Sequence, residues 1–490
     1  MKKYDVIIIG GGHNGLVCAS YLAKRKYKIL ILEKNSEVGG LANCANFANS
    51  FSKKIISDLN IDIPQLNQNS YIVSLNPDTN HTIIEESQNG IIFHNSSATK
   101  ENQEKFKILL NKYKKFSSSL SQFMNQTPPR IKSGVFQDTL KLMKMGWNVR
   151  KLGKKNMREF LRVIGLNIAD ELEDNLSDDI LRGILSHEAV LGTNLGPRSP
   201  GSVLTLLYKQ AINNGLVFDS EKYNINDYIS SLEKICIDSG VEIRKNISVN
   251  KIKIIENRVS GVELDNNEII NANIIVSNAD PKKTYLELLG PEPLDTDFIR
   301  RTKNFRSKGN VAKLTLLLNE KPIVNNVDNE KSNARYIFAP NINYVEKSFN
   351  ASKYNNFSEN LCFEFHILDK QLKLNLYYIP YIKNSTHDKE KIIQQCQNIL
   401  KKFIGNLNIT NAELLTPNDI SNKYNVSGGH WNHGEFEIDQ MLMMRPFYGS
   451  AQYQTPIKNL YLCSAGTHPG GGITGINGQN AAKKIIEDLR

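Results

Sequence analysis

Short apolar runs separated by glycine and by an amphipathic stretch open the chain. Tyr4 to Ile9 reads YDVIII, which is the composition of a strand buried on both faces. A helix beginning near Asn14 and a second apolar run, Lys28 to Leu32, complete a strand–helix–strand unit. The pattern returns near the far end, where Leu460 to Cys463 predicts a buried strand and Ile476 to Leu489 predicts a helix. The two ends of the chain are therefore expected to build one α/β lobe.

The middle of the chain carries strand patterns of a different kind. Between Glu242 and Ser277 the pattern is strand, turn, strand, with Asn266-Asn267 as the hairpin turn. Lys313 to Leu318 and Leu372 to Tyr378 predict strands of a second sheet. A chain of 490 residues is too long for one simple core. We predict a discontinuous first lobe made of 1–75, 215–290 and 420–490. The second lobe, made of 76–214 and 291–419, is inserted into it.

The composition is that of a soluble globular protein, with 40% hydrophobic and 23% charged residues. No apolar run approaches the roughly eighteen residues that a membrane span requires. The apolar run that ends at Ile9 is too short for a signal peptide and leads directly into Gly10. A cytoplasmic protein is expected.

The net charge of +11 is concentrated in one segment. Between Glu104 and Arg162 there are fifteen Lys or Arg residues against three acids. We predict a basic helical region at 104–166, in which apolar side chains such as Trp147 interleave with lysines from Asp138 to Leu166, as suits a segment lying on an anionic membrane surface. An ordinary solvated helix of the second lobe is the alternative. Nucleic acid is not expected as a partner, because few aromatic side chains are present there to stack bases.

The six cysteines are scattered, without any C-x-x-C pair. This spacing argues against a zinc site, a dithiol redox centre or a disulfide framework. His430 and His433 are three residues apart, but no Cys or Glu-x-x-His arrangement stands near them, so no metal site is predicted.

A dinucleotide fingerprint follows the first predicted strand. Gly10, Gly12 and Gly15 form G-x-G-x-x-G, which permits a tight turn, a close approach to a pyrophosphate and close helix–strand packing. The free N–H groups at the start of the helix favour a bound phosphate. Glu33, at the tip of the second strand, can accept hydrogen bonds from a ribose.

Two further glycine segments distinguish FAD from a nicotinamide cofactor. Gly39 and Gly40 follow Glu33 closely and let the backbone pass the pyrophosphate a second time. Near the other end, Gly466 to Gly475 is a glycine-dense turn, and a helix starting at Gly475 would stabilise negative charge on a reduced flavin. Since the chain returns from its far end to complete the site, we predict a permanently held FAD.

At this point a family resemblance is plain. The chain resembles FAD-dependent oxidoreductases of the phytoene desaturase and carotenoid isomerase type, and more narrowly the relatives named pyridine nucleotide-disulfide oxidoreductase domain-containing protein 2. Three blocks of sequence carry it, namely YDVIIIGGGHNGLVCASYLA, VEIRKNISVNKI with IIVSNADP, and GGHWNHGEFEIDQMLMMRP with YLCSAGTHPGGGITG. The resemblance implies an α/β fold with a Rossmann-like FAD-binding domain of the glutathione reductase type and an inserted α+β substrate domain.

The resemblance also implies which residues meet the cofactor. The positions expected to bind FAD are Gly10, Gly12, Gly15, Glu33, Gly39, Gly40, Val249, Gly466 and Gly475. Many relatives carry arginine directly after the glycine pair, and here Leu41-Ala42 stand instead. The contact of that arginine with the pyrophosphate or the substrate is therefore absent here or made by another residue.

The reaction implied is removal of hydride from a hydrophobic substrate, such as a polyene or carotenoid-like molecule, to flavin N5. With only one dinucleotide fingerprint, the electrons are expected to pass to an external acceptor, a quinone or oxygen, rather than to come from a tightly held nicotinamide.

The best polar candidates for catalysis are His433 and Arg445. His433 is expected to face the flavin or substrate, or else to make a structural hydrogen bond. Arg445 is interpreted mainly as an anchor for Asp439 or a backbone carbonyl, with substrate contact as the alternative. His468 is expected to shape its loop, and His13 to be a surface cap.

Two other functions remain open at this point. An FAD-dependent amine oxidase would share the same cofactor lobe, and a non-enzymatic flavin-binding scaffold would share its motifs.

Overall fold

The structure is a computed structural model of the chain and describes residues 4–489, apart from 46, 49–50, 65–70, 79, 88, 132, 214, 219–222, 329–330 and 332–333. The α-helices of these residues are α1 His13–Ala23, α2 Lys53–Leu59, α3 Lys100–Met124, α4 Phe136–Arg150, α5 Gly153–Val163, α6 Ile168–Asn175, α7 Asp179–Val190, α8 Ser202–Ile212, α9 Ile225–Asp238, α10 Thr296–Asn304, α11 Ile342–Ser352, α12 Lys389–Leu400, α13 Pro417–Tyr424 and α14 Ile476–Asp488. The strands are β1 Tyr4–Ile9, β2 Ile29–Leu32, β3 Phe47–Ala48, β4 Tyr71–Ser74, β5 Thr82–Ser87, β6 Gly90–Asn95, β7 Tyr223–Asn224, β8 Glu242–Arg244, β9 Val249–Ile255, β10 Arg258–Leu264, β11 Ile269–Ser277, β12 Val311–Leu318, β13 Arg335–Phe338, β14 Phe363–Leu368, β15 Gln371–Tyr377, β16 Ile409–Leu415 and β17 Leu460–Leu462.

The first sheet joins strands from both ends and from the middle of the chain. Its order is β8-β2-β1-β11-β10-β9, with β17 also paired to β11. β1 pairs in parallel with β2 and β11, and β11 pairs in parallel with β17. The strands β9, β10 and β11 are antiparallel, and Asn267 at the β10–β11 turn has a φ of 64°, as a tight hairpin requires. This sheet confirms the predicted Rossmann-like lobe.

The second sheet has the order β16-β12-β15-β14-β13-β4-β5-β6. It confirms the strands predicted from the runs beginning at Lys313 and Leu372. Along β12 most of the alternate residues, such as Leu314 and Leu316, are fully buried, so one face of the sheet packs into a hydrophobic core. One boundary of the predicted lobes needs correction, because β4 falls within 1–75 but pairs with β5 and β13 of this sheet.

Helices α1 and α14 cross at a very short distance beneath the first sheet. A Cβ added to Gly478 would lie 2.1 Å from the carbonyl oxygen of Asn14, so the two backbones touch where the first and last helices meet. A Cβ added to Gly15 would similarly lie 2.4 Å from the carbonyl oxygen of Gly10. The glycines thus permit the approach that puts the start of α14 beside the dinucleotide turn.

The approach of α1 and α14 predicts a large difference between two Gly→Ala substitutions. Gly478→Ala should lower the free energy of unfolding by about 1–3 kcal/mol, because backbone atoms must move apart. Gly146→Ala is the matched control, since Gly146 lies inside α4 with no atom within 4 Å of an added Cβ, and it should stabilise the helix by about 0.5–1 kcal/mol. Urea unfolding followed by circular dichroism measures both. Equal effects of the two substitutions would contradict the close crossing.

Candidate functional site

A cavity of about 430 Å³ lies between the two sheets. It begins at the glycine turn after β1 and passes Glu33 and Val249. It then continues to side chains of the second sheet, including Lys313 and Tyr377. The predicted cofactor positions and the second lobe therefore share one continuous space.

The turn after β1 is held open by its glycines. Gly10 has a φ of 95°, in the left-handed region that favours glycine, and its N–H donates to the Leu32 carbonyl oxygen at 2.8 Å. The Asn278 side chain donates to the Gly10 carbonyl oxygen at 3.3 Å and braces the turn from the end of β11. Gly12 immediately precedes α1, so the first N–H groups of that helix face the cavity side of the turn. This geometry fits a pyrophosphate.

Glu33 lies at the tip of β2 and is buried. Its Oε2 accepts from the Gly11 N–H at 2.7 Å and its Oε1 accepts from the Asn35 N–H at 2.9 Å. Each carboxylate oxygen keeps a second lone pair for another donor. The carboxylate is thus fixed at the wall of the cavity, as binding of a ribose requires.

The second glycine pair continues the same wall. The Gly39 N–H donates to the Gly11 carbonyl oxygen at 2.9 Å, which ties the pair to the first turn. Gly39, Gly40 and Val249 all line the cavity. Of the predicted cofactor positions, Gly10, Gly12, Glu33, Gly39, Gly40 and Val249 therefore lie at the cavity.

Three predicted positions lie behind the cavity wall. Gly15 packs on the Gly10 carbonyl, and a Cβ on Gly466 would lie 2.4 Å from the Pro281 ring. Gly475 caps α14 with a φ of 74°, as predicted, but an added Cβ would meet Val17 and other core atoms. These three glycines are placed to shape the site, while the neighbouring Gly471 and Gly472 line it.

Two histidines from distant parts of the chain meet in the cavity. His433 lines the cavity, which is the first of the two alternatives predicted for it. His13 lines it too, which corrects the expectation that His13 is a surface cap. Burial, and then the neighbouring His433, lower the pKa of His13 to about 4. Burial also lowers the pKa of His433. Both rings are therefore neutral near pH 7. Among the described residues, His13 Nε2 and His433 Nδ1 have no hydrogen-bond partner.

The structure places Arg445 as an anchor outside the cavity lining. It is fully buried, and its guanidinium donates to five backbone carbonyls, those of Asn432, Gly434, Glu435, Gln440 and Ala465. Asp439, the alternative partner, instead accepts from Arg306 at 2.6 Å. The predicted anchoring to backbone carbonyls is observed. These hydrogen bonds hold the loop that carries His433.

His468 and Cys44 have local roles. His468 Nε2 bonds the Phe123 carbonyl oxygen at 2.8 Å, so this side chain shapes its loop as expected. The Cys44 thiol donates to the Tyr424 hydroxyl at 3.0 Å at the edge of the cavity. Within the part of the chain that the structure describes, no three His, Cys, Asp or Glu side chains are grouped to hold a metal ion.

A polar group on the second sheet was not predicted from the sequence. Lys313, Asn375, Glu364 and Arg335 line the inner part of the cavity. A signal for them exists, since Lys313 interrupts the apolar run VAKLTLLL and Glu364 interrupts FEFHIL. Charges inside otherwise buried strands indicate a polar environment that the fold alone does not need.

Comparisons with known proteins agree with this architecture. A family model described as an NAD(P)-binding Rossmann-like domain matches residues 8–58. Pyridine nucleotide-disulfide oxidoreductase domain-containing protein 2 of Rattus norvegicus is 24% identical, over 100% of this chain and 94% of that protein. The lycopene-forming phytoene desaturase of Pseudescherichia vulneris is 22% identical over 100% of both chains.

A solved structure shares the fold as well. Putrescine oxidase superposes with a TM-score of 0.61 at 11% identity, over 100% of this chain and 99% of that one. The homologues confirm the predicted resemblance to FAD-dependent oxidoreductases of the phytoene desaturase type, and the fold class is confirmed with it.

The position of Glu33 generates a prediction about cofactor retention. Glu33→Ala removes the fixed carboxylate and should raise the dissociation constant for FAD by roughly 10- to 100-fold, which corresponds to about 1.5–3 kcal/mol for a charged hydrogen bond. Equilibrium dialysis of the purified protein measures the change. Glu37→Ala is the control, because Glu37 is exposed and close in sequence but outside the cavity lining. Equal retention in the two variants would contradict the role of Glu33.

Proposed function

We propose that the chain is an FAD-dependent oxidoreductase that oxidises a hydrophobic small molecule and passes the electrons to an external acceptor, a quinone or oxygen. The observation that carries the proposal is the continuous cavity, which joins the dinucleotide turn to its inner part, termed the second chamber and lined by Leu191, Leu206, Phe436 and the polar side chains of the second sheet.

The residues at the first end fit FAD. The Gly10 to Gly12 turn and the start of α1 would hold the pyrophosphate, Glu33 the adenosine ribose, and the Val249 backbone the adenine. The fit rests on the open glycine backbone and on the buried, prepositioned carboxylate of Glu33. Bound FAD would supply acceptance of hydride from a substrate carbon.

The chain's own residues orient and enclose the reaction. Arg445 fixes the loop of His433 through its five carbonyl acceptors, so the neutral His433 ring is held facing the cavity. His433 and His13 are each able to hold a proton at an unpartnered ring nitrogen. Neither is required as a strong base when the bond that breaks is a carbon–hydrogen bond of an apolar substrate.

A hydrophobic substrate is favoured over an amine by the chemistry of the second chamber. Apolar side chains, among them Leu191, Leu206 and Phe436, form part of its wall. The carboxylates of Glu188 and Glu364 also line it, but both are ion-paired to Arg335. Lys209 and Lys313 line the same part of the cavity. A cationic amine would therefore meet three cations against two carboxylates.

The function can be tested by anaerobic reduction of the bound flavin. Apolar unsaturated lipids presented in liposomes should bleach its visible absorbance, because such molecules fit the wall of the second chamber. Primary amines should bleach it poorly, because the cations of the cavity lining outnumber its carboxylates. NADH and NADPH should also bleach it poorly, because the chain carries a single dinucleotide fingerprint. Absorbance in a stopped-flow instrument measures each class under the same conditions. Rapid stoichiometric bleaching by an amine or by a nicotinamide nucleotide would overturn the proposed reaction.

We also propose that the protein is cytoplasmic and binds peripherally to an anionic membrane. The support is α4, in which Asn148 is the one buried residue of those described. Phe136, Leu140, Met143 and Trp147 follow one helical stripe and are 74%, 47%, 66% and 57% exposed. Large apolar side chains concentrated on one exposed face are typical of an interaction surface.

Charge decides which partner this surface suits. Lys144 on α4 and the following residues Arg150, Lys151, Lys154 and Lys155 are all exposed. Apolar side chains among lysines are the composition of a helix that lies in a membrane interface and meets anionic headgroups. None of the helices in the described ranges is both long enough and apolar enough to span a bilayer.

The membrane proposal predicts salt-sensitive binding to vesicles. The protein should float with anionic liposomes but not with neutral ones, because each basic residue near an anionic surface contributes on the order of 1 kcal/mol. Replacing Lys151, Lys154 and Lys155 by Glu should abolish flotation. The matched control replaces Lys370, Lys401 and Lys402, which are exposed lysines elsewhere on the surface, and should leave flotation intact. Absence of bound protein at low salt would overturn the proposal.

A further inference from the structure

A hydrogen-bonded polar row crosses four neighbouring strands of the second sheet. Lys313 on β12 donates to Asn375 Oδ1 on β15 at 2.6 Å, and Asn375 donates to Glu364 Oε1 on β14 at 2.6 Å. Arg335 on β13 donates through Nε to Glu364 Oε2 at 2.7 Å. The Tyr377 hydroxyl also donates to Glu364 at 2.8 Å. These five residues all line the inner part of the cavity.

The charges in this part of the cavity do not balance. Arg335 also reaches Glu188 on α7, with 2.7 Å between Nη1 and Oε1. Lys209 on α8 adds a cation, which donates to the Glu188 carbonyl oxygen at 2.5 Å. Histidines aside, the inner lining therefore contains three cations, Lys209, Lys313 and Arg335, and two carboxylates. An uncompensated charge away from water is costly unless a counter-charge accompanies it.

Lys313 has more hydrogen-bond donors than its polar row supplies acceptors. Its ammonium group has three donors, and the hydrogen bond to Asn375 uses one. A further neighbour is the Trp431 ring, whose centroid lies 4.7 Å from Nζ and offers a face but no acceptor atom. Cys44 and Glu364 are also near enough to act on the charge of Lys313. Burial lowers the pKa of Lys313 because it disfavours the charged form, and an anion beside the ammonium group would favour that charged form.

Apolar surface continues directly from this polar end. Trp431, Leu191, Leu206 and Phe436 line the same cavity. A ligand that satisfies both parts has an anionic oxygen group at one end and a hydrocarbon chain behind it. A bare hydrocarbon would leave the donors of Lys313 unpaired, and a cationic amine would increase the excess of positive charge.

We propose that the second chamber binds an amphiphilic carboxylic acid. Lys313 binds the carboxylate of this ligand, and the apolar wall holds its hydrocarbon chain. This inference rests on the proposed function, since it names the class of hydrophobic substrate that the oxidoreductase would take. The polar row positions Lys313, because Asn375 is itself fixed by Glu364, which Arg335 holds.

Binding of simple probes to the holoprotein tests the inference without turnover. Decanoate, decanol and decylamine share one chain length and differ in the end group. Isothermal titration calorimetry should give decanoate a dissociation constant at least tenfold below that of decanol, with decylamine weaker than both. Decanoate binding no tighter than decanol binding, measured on the unmodified protein, would overturn the inference.

Substitution of Lys313 locates the effect. Lys313→Met keeps the length of the side chain and removes the donors, so decanoate affinity should fall at least tenfold while decanol affinity stays unchanged. Lys370→Met is the matched control, since Lys370 is exposed on the turn between β14 and β15, and it should change neither. Unchanged decanoate affinity in Lys313→Met, with an altered visible flavin spectrum, would mean that the row serves the cofactor and would overturn the inference.

Failure of the inference and failure of the proposed function give different results. A yellow protein that ignores decanoate would retain the flavin function and reject the carboxylate site. A protein that binds decanoate through Lys313 but never holds FAD would retain the carboxylate site and reject the oxidoreductase.

Discussion

The parallel pairing of β1, β11 and β17 is the constraint on which the site depends. Ile9 is in register with Ser277, and Ser277 with Leu462. The pairing continues one step past the strands, because the Asn278 N–H donates to the Ile9 carbonyl oxygen at 2.8 Å and the Cys463 N–H donates to the Ser277 carbonyl oxygen at 2.9 Å. Loops that follow parallel strands open at the same edge of a sheet, where ligands of α/β folds bind. The turn at Gly10, the segment after Ser277 and the C-terminal glycine turn therefore meet, although hundreds of residues separate them along the chain.

The buried guanidinium of Arg445 extends this constraint to the loop that carries His433. Its acceptors belong to two segments, the loop from Asn432 to Gln440 and Ala465 just after β17. One cation therefore joins the loop to the edge of the first sheet. Burial lowers the pKa of Arg445 to about 10, so it remains charged at neutral pH. His433 has a φ of 54°, a conformation that costs a non-glycine residue about 1–3 kcal/mol and persists only where the surroundings fix it.

Local sequence rules predict the first lobe well, because each of its elements has a recognisable pattern within a few residues. A β-branched run, glycines at fixed spacing and Glu33 eighteen residues beyond Gly15 are each readable without knowledge of the rest of the chain. The same rules mislead for His13, since a polar residue between turn glycines is usually exposed, whereas this ring lines the cavity beside His433 and bonds the Gly472 backbone. The polar row on the second sheet depends on the order of its strands, which periodicity does not determine. Lys313 and Glu364 become neighbours of a shared asparagine only after β15 pairs between β12 and β14.

Two regions reverse the usual distribution of polarity, and folding alone explains neither. Charged residues cross the cavity-facing side of the second sheet. Replacing such residues by apolar side chains of similar volume would often leave the stability of the fold unchanged or increase it. Apolar residues such as Phe136 and Trp147 face outward on α4, where polar residues would cost less. Real proteins break local rules of this kind at functional sites. The proposed carboxylate site in the cavity and the proposed membrane contact of α4 suit the same kind of molecule, one with an ionic end and a hydrocarbon chain. The two proposals therefore invoke one ligand chemistry for the interior and the exterior, which separate structural explanations of the two regions would leave as a coincidence.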